Sequence, residues 1–163
     1  VSLLLIVVFM KRRGYTDGSN KTEYDERQLI ARGRGFMLAY YTLLIYLAVI
    51  IMIDMLDVTI PCSMTVLVFT GFVISGLVLS FYTIMNDAYW GINNNVSLIT
   101  RAIIAIGIIN FVFGIVDMCK GKMVVEGILQ DGFINFEAGV LILAIGIMLL
   151  IKKRRDKQEA GEI

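Results

Sequence analysis

Long apolar runs separated by short polar segments dominate this chain. Four of these runs lie at residues 36–56, 64–86, 98–117 and 134–151. A helix rises about 1.5 Å per residue and the hydrocarbon core of a bilayer is about 30 Å thick, so about 20 apolar residues are needed to cross it. The pattern therefore predicts four membrane-spanning helices, of which the last is the shortest.

A fifth apolar run, at residues 1–10, is long enough for only about half of the hydrocarbon thickness. We interpret it as the end of a partial N-terminal span that begins before Val1. A short interfacial or re-entrant segment is the alternative interpretation.

Composition supports the same picture, because 58% of the 163 residues are apolar, more than in an ordinary soluble domain. The polar segments between the runs are too short to form domains of their own. We therefore expect one membrane domain, residues 1–163, with an all-α fold: a polytopic transmembrane helical bundle in contact with the lipid bilayer.

The fifteen Lys and Arg residues are distributed very unevenly between the two sides of this bundle. All except Lys120 and Lys122 fall on one side, mainly within residues 11–34 and 152–157. Positively charged loops are retained in the cytoplasm. The distribution predicts a multi-pass protein with its N-terminus outside and its C-terminus in the cytoplasm.

The segment before the first full span has the features of a helix start. Thr22 and Asp25 have the spacing of a capping box, which predicts a cytoplasmic helix over about residues 22–35. Its arginines are expected to meet lipid phosphates. The alternative is a docking surface for a cytoplasmic or membrane protein partner, with these candidate residues: Asp25, Glu26, Arg27, Gln28 and Arg32.

The inner loop at residues 86–95 carries Tyr89 and Trp90, and aromatic residues of this kind are typical of the membrane interface. Asp87 in this loop and Arg101 in the following span are predicted to lie at adjacent helix ends. They are therefore candidates for an ion pair, although a partly solvated pair contributes little stability.

Two features are predicted for the outer side. Residues 122–136 have the pattern of a small β-hairpin turned at Asp131 and Gly132, with an irregular loop as the alternative. Cys62 and Cys119 both fall on this side, where disulfides can persist. They are a candidate disulfide, and two unpaired thiols are the alternative.

Small residues are expected to pack the helices, because there is little hydrophobic drive between helices in lipid. Asn110, a strongly polar residue inside a span, is predicted to bond to a neighbouring helix. A self-association face in a homo-oligomer is the alternative role of the small residues. The candidate packing glycines are Gly71, Gly76, Gly107, Gly114, Gly139 and Gly146.

Candidate chemistry is sparse. The chain has no histidine, no Gly-rich phosphate loop, no nucleophile elbow and no cysteines at metal-ligand spacing. We therefore predict no catalytic, cofactor or metal site, no nucleic-acid partner and no enzymatic activity. An outer acidic cluster is the one charged feature that could gather cations, although it also follows from basic residues having been kept inside. Its candidate members are Asp54, Asp57, Asp117 and Glu137.

Two runs of residues carry a resemblance to a known group. The run Tyr24-Asp25-Glu26-Arg27-Gln28, the run Asn86-Asp87-Ala88-Tyr89-Trp90 and the pair Glu126-Gly127 resemble small uncharacterised multi-pass membrane proteins of Clostridia and related Firmicutes. The resemblance covers most of the chain and departs at residues 1–10, where those proteins have a complete first span. It implies a membrane fold and a bacterial plasma membrane, and it transfers no catalytic residue.

Two functions are compatible with these observations. The first is an accessory or regulatory membrane protein that acts through protein contacts. The alternative is a homo-oligomeric channel or transporter with an acidic outer mouth. The central parts of the spans lack ionisable residues and proline breaks, which disfavours an ion-coupled carrier.

Overall fold

Four long helices make up most of the structure, a computed structural model that describes residues 21–161. Each is long and apolar enough to cross a membrane. The predicted all-α membrane bundle is therefore confirmed for this part of the chain, and the run at residues 1–10 lies outside the described residues. The helices are α1 (Glu26–Met55), α2 (Met64–Met85), α3 (Val96–Cys119) and α4 (Ile134–Glu159).

Helix α1 begins one turn later than predicted. Its capping box is formed by Asp25 and Gln28: the Asp25 Oδ1 atom accepts from the Gln28 backbone N–H at 2.6 Å, and the Gln28 Oε1 atom accepts from the Asp25 N–H at 3.2 Å. The prediction that the helix starts near Thr22 was wrong, because the backbone of residues 21–23 bonds to the loop at residues 86–95 instead.

The closest helix contact is between α3 and α4, and it depends on glycine. A Cβ atom at Gly114 would lie 2.6 Å from the Phe136 Cα atom, and one at Gly139 would lie 2.5 Å from the Phe111 backbone nitrogen. At these two positions the backbones themselves meet, which only a residue without a side chain allows. We call this contact the glycine crossing.

The other four candidate glycines also face neighbouring helices of the same chain. A Cβ atom added at Gly107 would lie 2.9 Å from Leu143, one at Gly146 would lie 2.7 Å from Ile104, and one at Gly71 would lie 2.8 Å from Tyr46. At Gly76 the nearest atom is on Leu141, 3.7 Å away. Packing within one chain therefore accounts for all six glycines without a second copy.

A two-stranded antiparallel sheet lies between α3 and α4 and consists of β1 (Val124–Val125) and β2 (Ile128–Leu129). Its turn is formed by Glu126 and Gly127, which have φ angles of 52° and 78°. Positive φ at both positions is what a two-residue hairpin requires. The small hairpin is confirmed, but the predicted turn at Asp131 and Gly132 was wrong, because those residues form a short 3₁₀ helix that leads into α4.

The antiparallel helices place opposite charges at the two ends of the bundle. One end holds the start of α1 and the end of α4. It carries the Lys and Arg side chains within 27–34 and 152–157, and we call it the basic end. The opposite end, which we call the acidic end, carries Asp54, Asp57, Asp117 and Glu137.

Candidate functional site

A network of polar contacts at the basic end joins the start of α1 to the loop between α2 and α3. We call residues 21–32 together with residues 86–95 the junction. The side-chain amide of Gln28 donates to the Asp87 carbonyl oxygen at 2.6 Å and to the Trp90 carbonyl oxygen at 3.2 Å. One side chain of α1 thus fixes two peptide groups of a loop that lies about 60 residues further along the chain.

Arg32 makes the second link across the junction. Its Nη1 atom donates to the carbonyl oxygens of Ala88, at 3.1 Å, and Tyr89, at 3.4 Å. Its guanidinium lies 4.3 Å from the centre of the Tyr24 ring, within the range of a cation–π contact. Since Ala88 is completely buried, Arg32 bonds to loop carbonyls that water reaches poorly.

Asn93 holds the segment in front of α1. Its Oδ1 atom accepts from the Glu23 backbone N–H at 3.0 Å, and its Nδ2 atom donates to the Lys21 carbonyl at 2.9 Å. The Ile92 N–H in turn donates to the Glu23 carbonyl at 2.9 Å. Only 6% of Asn93 is exposed, so this side chain has the role of a buried amide that completes a backbone pairing.

The candidate partner surface is therefore divided into two groups. Asp25, Gln28 and Arg32 are used for the helix cap and for the junction, within the chain itself. Glu26 and Arg27 are exposed, and the one ion pair of Arg27 within the described residues is a long contact of 3.9 Å with Asp87. A partner would meet these two side chains on a helix end that the junction holds in place.

Charged groups at the junction pair differently from the sequence prediction. The Asp87 carboxylate lies 3.0 Å from the Lys152 ammonium and 3.9 Å from the Arg27 guanidinium. The predicted pair with Arg101 does not form, because the Arg101 Nε atom donates to the Ser97 carbonyl one turn back in its own helix. Asp87 has a φ angle of 54°, and this left-handed turn leads the chain out of α2 and directs the loop across the end of the bundle.

Tyr89 and Trp90 lie at the centre of the junction, in an edge-to-face contact with their ring centres 4.5 Å apart. Burial raises the pKa of the Tyr89 phenol, against smaller opposing effects of a hydrogen bond with Ser80 and the charge of Arg32. The indole N–H of Trp90 is buried and has no acceptor among the described residues. Beside Trp90 lies an open groove of about 490 Å³.

The acidic residues at the other end do not form one site. Asp54 and Asp57 are exposed and line a groove of about 530 Å³ between α1 and α2. Asp117 accepts a hydrogen bond from Asn135 at 3.0 Å. Glu137 is the most enclosed of the four: its Oε1 atom lies 2.7 Å from the Thr70 hydroxyl, and its buried Oε2 atom has no partner in the described part of the chain.

The cysteines and the potential metal ligands are also separated. Cys62 is partly buried and Cys119 is exposed, and both are free thiols, so the candidate disulfide is not formed in this structure. Within residues 21–161, no group of three or more His, Cys, Asp or Glu side chains is arranged to hold a metal ion.

Polar side chains inside the spans bond to backbone carbonyls. Asn110 donates to the Ile106 carbonyl of its own helix at 2.9 Å, so the prediction of a bond to a neighbouring helix was wrong. Bonds between helices are made instead by the Ser75 hydroxyl to the Ala39 carbonyl, at 2.9 Å, and by the Tyr46 hydroxyl to the Leu67 carbonyl, at 2.7 Å, in addition to the Thr70–Glu137 bond described above.

The contacts of Asn93 and Lys152 were not expected from the sequence. Asn93 is one of three consecutive asparagines in a turn-rich segment, and Lys152 begins a basic run that resembles an ordinary solvated helix end. The one sequence signal for the Lys152 contact was its residue type, because a lysine directly after an apolar span can fold its long side chain back over the end of the bundle.

No protein-family model, curated protein or solved structure matches this chain.

Proposed function

We propose that this chain is a non-enzymatic accessory or regulatory protein of a bacterial plasma membrane, and that it acts by contacting a protein partner at its basic end. The observation that carries the proposal is the junction. Gln28, Arg32 and Asn93 hold the first turn of α1 against the loop at residues 86–95. This arrangement presents Glu26 and Arg27 to the surroundings on a fixed helix end, and a surface held in its binding conformation loses less entropy when a partner binds.

The basic end is proposed to face the cytoplasm, with the C-terminus. The support is the concentration of basic residues at this end, because the translocation machinery retains positively charged segments inside. A cytoplasmic partner, or the cytoplasmic part of a membrane protein, would then reach Glu26 and Arg27 without entering the bilayer.

A homo-oligomeric channel or transporter has less support. Thr42, Ser75 and Asn110 are bonded to backbone carbonyls, and the unpartnered Glu137 Oε2 atom lies near the acidic end, so the described residues do not form a row of free groups along a water path. The candidate glycines are covered by helices of the same chain. The described spans therefore offer few features that a second copy would be needed to complete.

A crosslinking experiment tests the proposal. A photoreactive amino acid replaces Glu26 in the full-length protein in native membranes, and we expect a discrete protein adduct. Arg27→Glu should reduce its yield, because the charge next to the probe is reversed. Lys120→Glu, at the acidic end, is the matched control and should leave the yield unchanged. Capture of lipid alone, or an equal loss of yield in both variants, would contradict the proposal.

A further inference from the structure

The groove beside Trp90 has a composition that neither the fold nor the proposed protein partner requires. It has a volume of about 490 Å³ and lies between the loop at residues 86–95, the start of α3 and the last turns of α4. Its lining includes the apolar residues Ile84, Val96 and Leu149 and the basic residues Lys152, Lys153 and Lys157. An apolar floor and a basic rim are thus present in one groove.

The positive charge of the groove is only partly neutralised. Lys152 lies 2.6 Å from the Asp156 carboxylate and 3.0 Å from the Asp87 carboxylate, so the two aspartates of the groove are both occupied by it. Lys153 donates to the uncharged Ser97 hydroxyl at 2.9 Å. Among the described residues, no carboxylate pairs with Lys153 or Lys157. Two ammonium groups on one side of the groove are therefore available to an anion.

Trp90 also lines the groove and has a hydrogen-bond donor that is not used within the described residues. Its indole N–H is buried and lacks an acceptor in the described part of the chain. A buried donor of this kind is costly unless something accepts from it. Because Trp90 lines the groove but its N–H is covered, the indole would have to rotate for this N–H to meet a ligand oxygen there.

The depth of the groove determines which kind of anion fits. The apolar run of α4 ends at Ile151, and the basic run begins at Lys152. This change from apolar to charged residues places the groove at the boundary between hydrocarbon and headgroups, where Trp side chains also concentrate. A ligand there meets apolar surface below and ammonium groups above, so it should itself have acyl chains and a negative headgroup.

We propose that this groove, which we call the lipid groove, binds an anionic phospholipid, with the headgroup phosphate between Lys153 and Lys157 and the glycerol and upper acyl chains over Leu149. Basic recesses between helices on the cytoplasmic side of a membrane are known to take such headgroups. The groove shares Gln28, Asp87 and Trp90 with the junction, but neither Glu26 nor Arg27 lines it, so lipid binding and partner binding are tested at different side chains.

Trp90 is the only tryptophan of the chain and lines this groove, so all tryptophan fluorescence comes from one position beside it. The full-length protein is reconstituted into phosphatidylcholine bilayers that contain phosphatidylglycerol, and either lipid carries bromine near the headgroup end of its acyl chains. At equal mole fraction, brominated phosphatidylglycerol should quench Trp90 more strongly than brominated phosphatidylcholine. The ratio gives the relative association constant of the two lipids at the groove.

Two double variants separate the lipid groove from a general attraction of charge. Each lysine should contribute about a fivefold preference for phosphatidylglycerol, so Lys153→Gln with Lys157→Gln should lower the preference about 30-fold. If the wild-type preference is smaller than this, the double variant should show no preference. Arg154→Gln with Arg155→Gln removes the same charge from the same helix end but outside the groove lining, and should lower it much less.

Three results would overturn the proposal. The first is equal quenching of the wild-type protein by the two lipids. The second is an equal loss of preference in the lysine and arginine variants, which would show that surface charge alone attracts the lipid. The third is removal of the preference by added inorganic phosphate, which would show a site for free phosphate instead. Retention of the preference in excess phosphate supports a lipid ligand.

Discussion

The glycine crossing predicts a large effect of a single methyl group. In Gly139→Ala, the new Cβ atom would lie 2.5 Å from the Phe111 backbone nitrogen, about 0.9 Å short of the 3.4 Å at which ordinary contact begins. The obstacle is backbone, so no side chain can rotate away from the methyl group. Helices α3 and α4 must therefore move apart along the contact.

The cost follows from the size of this movement. A gap of about 0.5–1 Å forfeits about a quarter to a half of the dispersion energy between the facing atoms. Overpacking of this kind destabilises proteins by about 1–3 kcal/mol, and we expect the upper half of that range. Gly114→Ala should cost a similar amount, since its Cβ atom would lie 2.6 Å from the Phe136 Cα atom. The double variant should cost less than the sum, because the first methyl group already separates the helices.

The measurement is reversible unfolding in mixed micelles with increasing dodecyl sulfate, followed by helical circular dichroism. Two alanine substitutions serve as controls. At Gly76 the nearest atom is 3.7 Å away, which is ordinary contact, so Gly76→Ala should not destabilise the protein. Nothing lies within 4 Å of a Cβ atom at Gly33, so Gly33→Ala should stabilise by about 0.5–1 kcal/mol through helix propensity. The explanation fails if Gly139→Ala unfolds at the same point as Gly76→Ala.

Two further predictions concern the junction. Gln28→Leu or Arg32→Leu leaves loop carbonyls without their donors, so the free energy of local opening at residues 86–95 should fall by about 1–3 kcal/mol and hydrogen exchange there should become faster. Arg34 is exposed, so Arg34→Leu should leave the exchange unchanged. Equal exchange in all three variants would contradict the role of the junction. Burial raises the pKa of Tyr89 above its ordinary value of 10.0, so the unfolded state loses this proton first and the unfolding free energy should fall as pH rises above 10.0. Tyr89→Phe should reduce that fall, and an unchanged pH dependence would refute the assignment.

The spans could be predicted from the sequence because the bilayer sets a length that apolar runs must meet. Helices α2 and α3 begin within a few residues of the predicted spans, and the basic and acidic ends follow from the same alternation. Length and charge are properties of a segment by itself. They do not depend on where the rest of the chain lies.

The sequence predicted that a capping box precedes α1 and that a hairpin precedes α4, but it placed both at the wrong residues. The capping box was predicted at Thr22 and Asp25, but Asp25 and Gln28 form it, while Glu23 bonds to Asn93. Likewise the hairpin turn was predicted at Asp131 and Gly132, but Glu126 and Gly127 form it. In both cases the local pattern indicated the type of turn but not its position.

The junction and the lipid groove could not be predicted, because they join segments that are far apart in sequence. Nothing in the spacing of Gln28 or Arg32 indicates that their donors meet carbonyls of the loop at residues 86–95. Lys152 comes from a third segment and also reaches Asp87. Such sites depend on the relative positions of the helix ends, and the composition of each segment does not determine those positions.

The order in which the helices pair has a consequence for how the protein is made. Helix α1 packs mainly on α2, and α3 mainly on α4, so each helix has its main partner next to it in the chain. During synthesis α1 and α2 leave the ribosome first and can associate before α3 exists. The loop at residues 86–95 emerges directly after α2, and Gln28 and Arg32 can bind it at once. The contacts therefore allow the first half of the described chain to close before the second half enters the membrane.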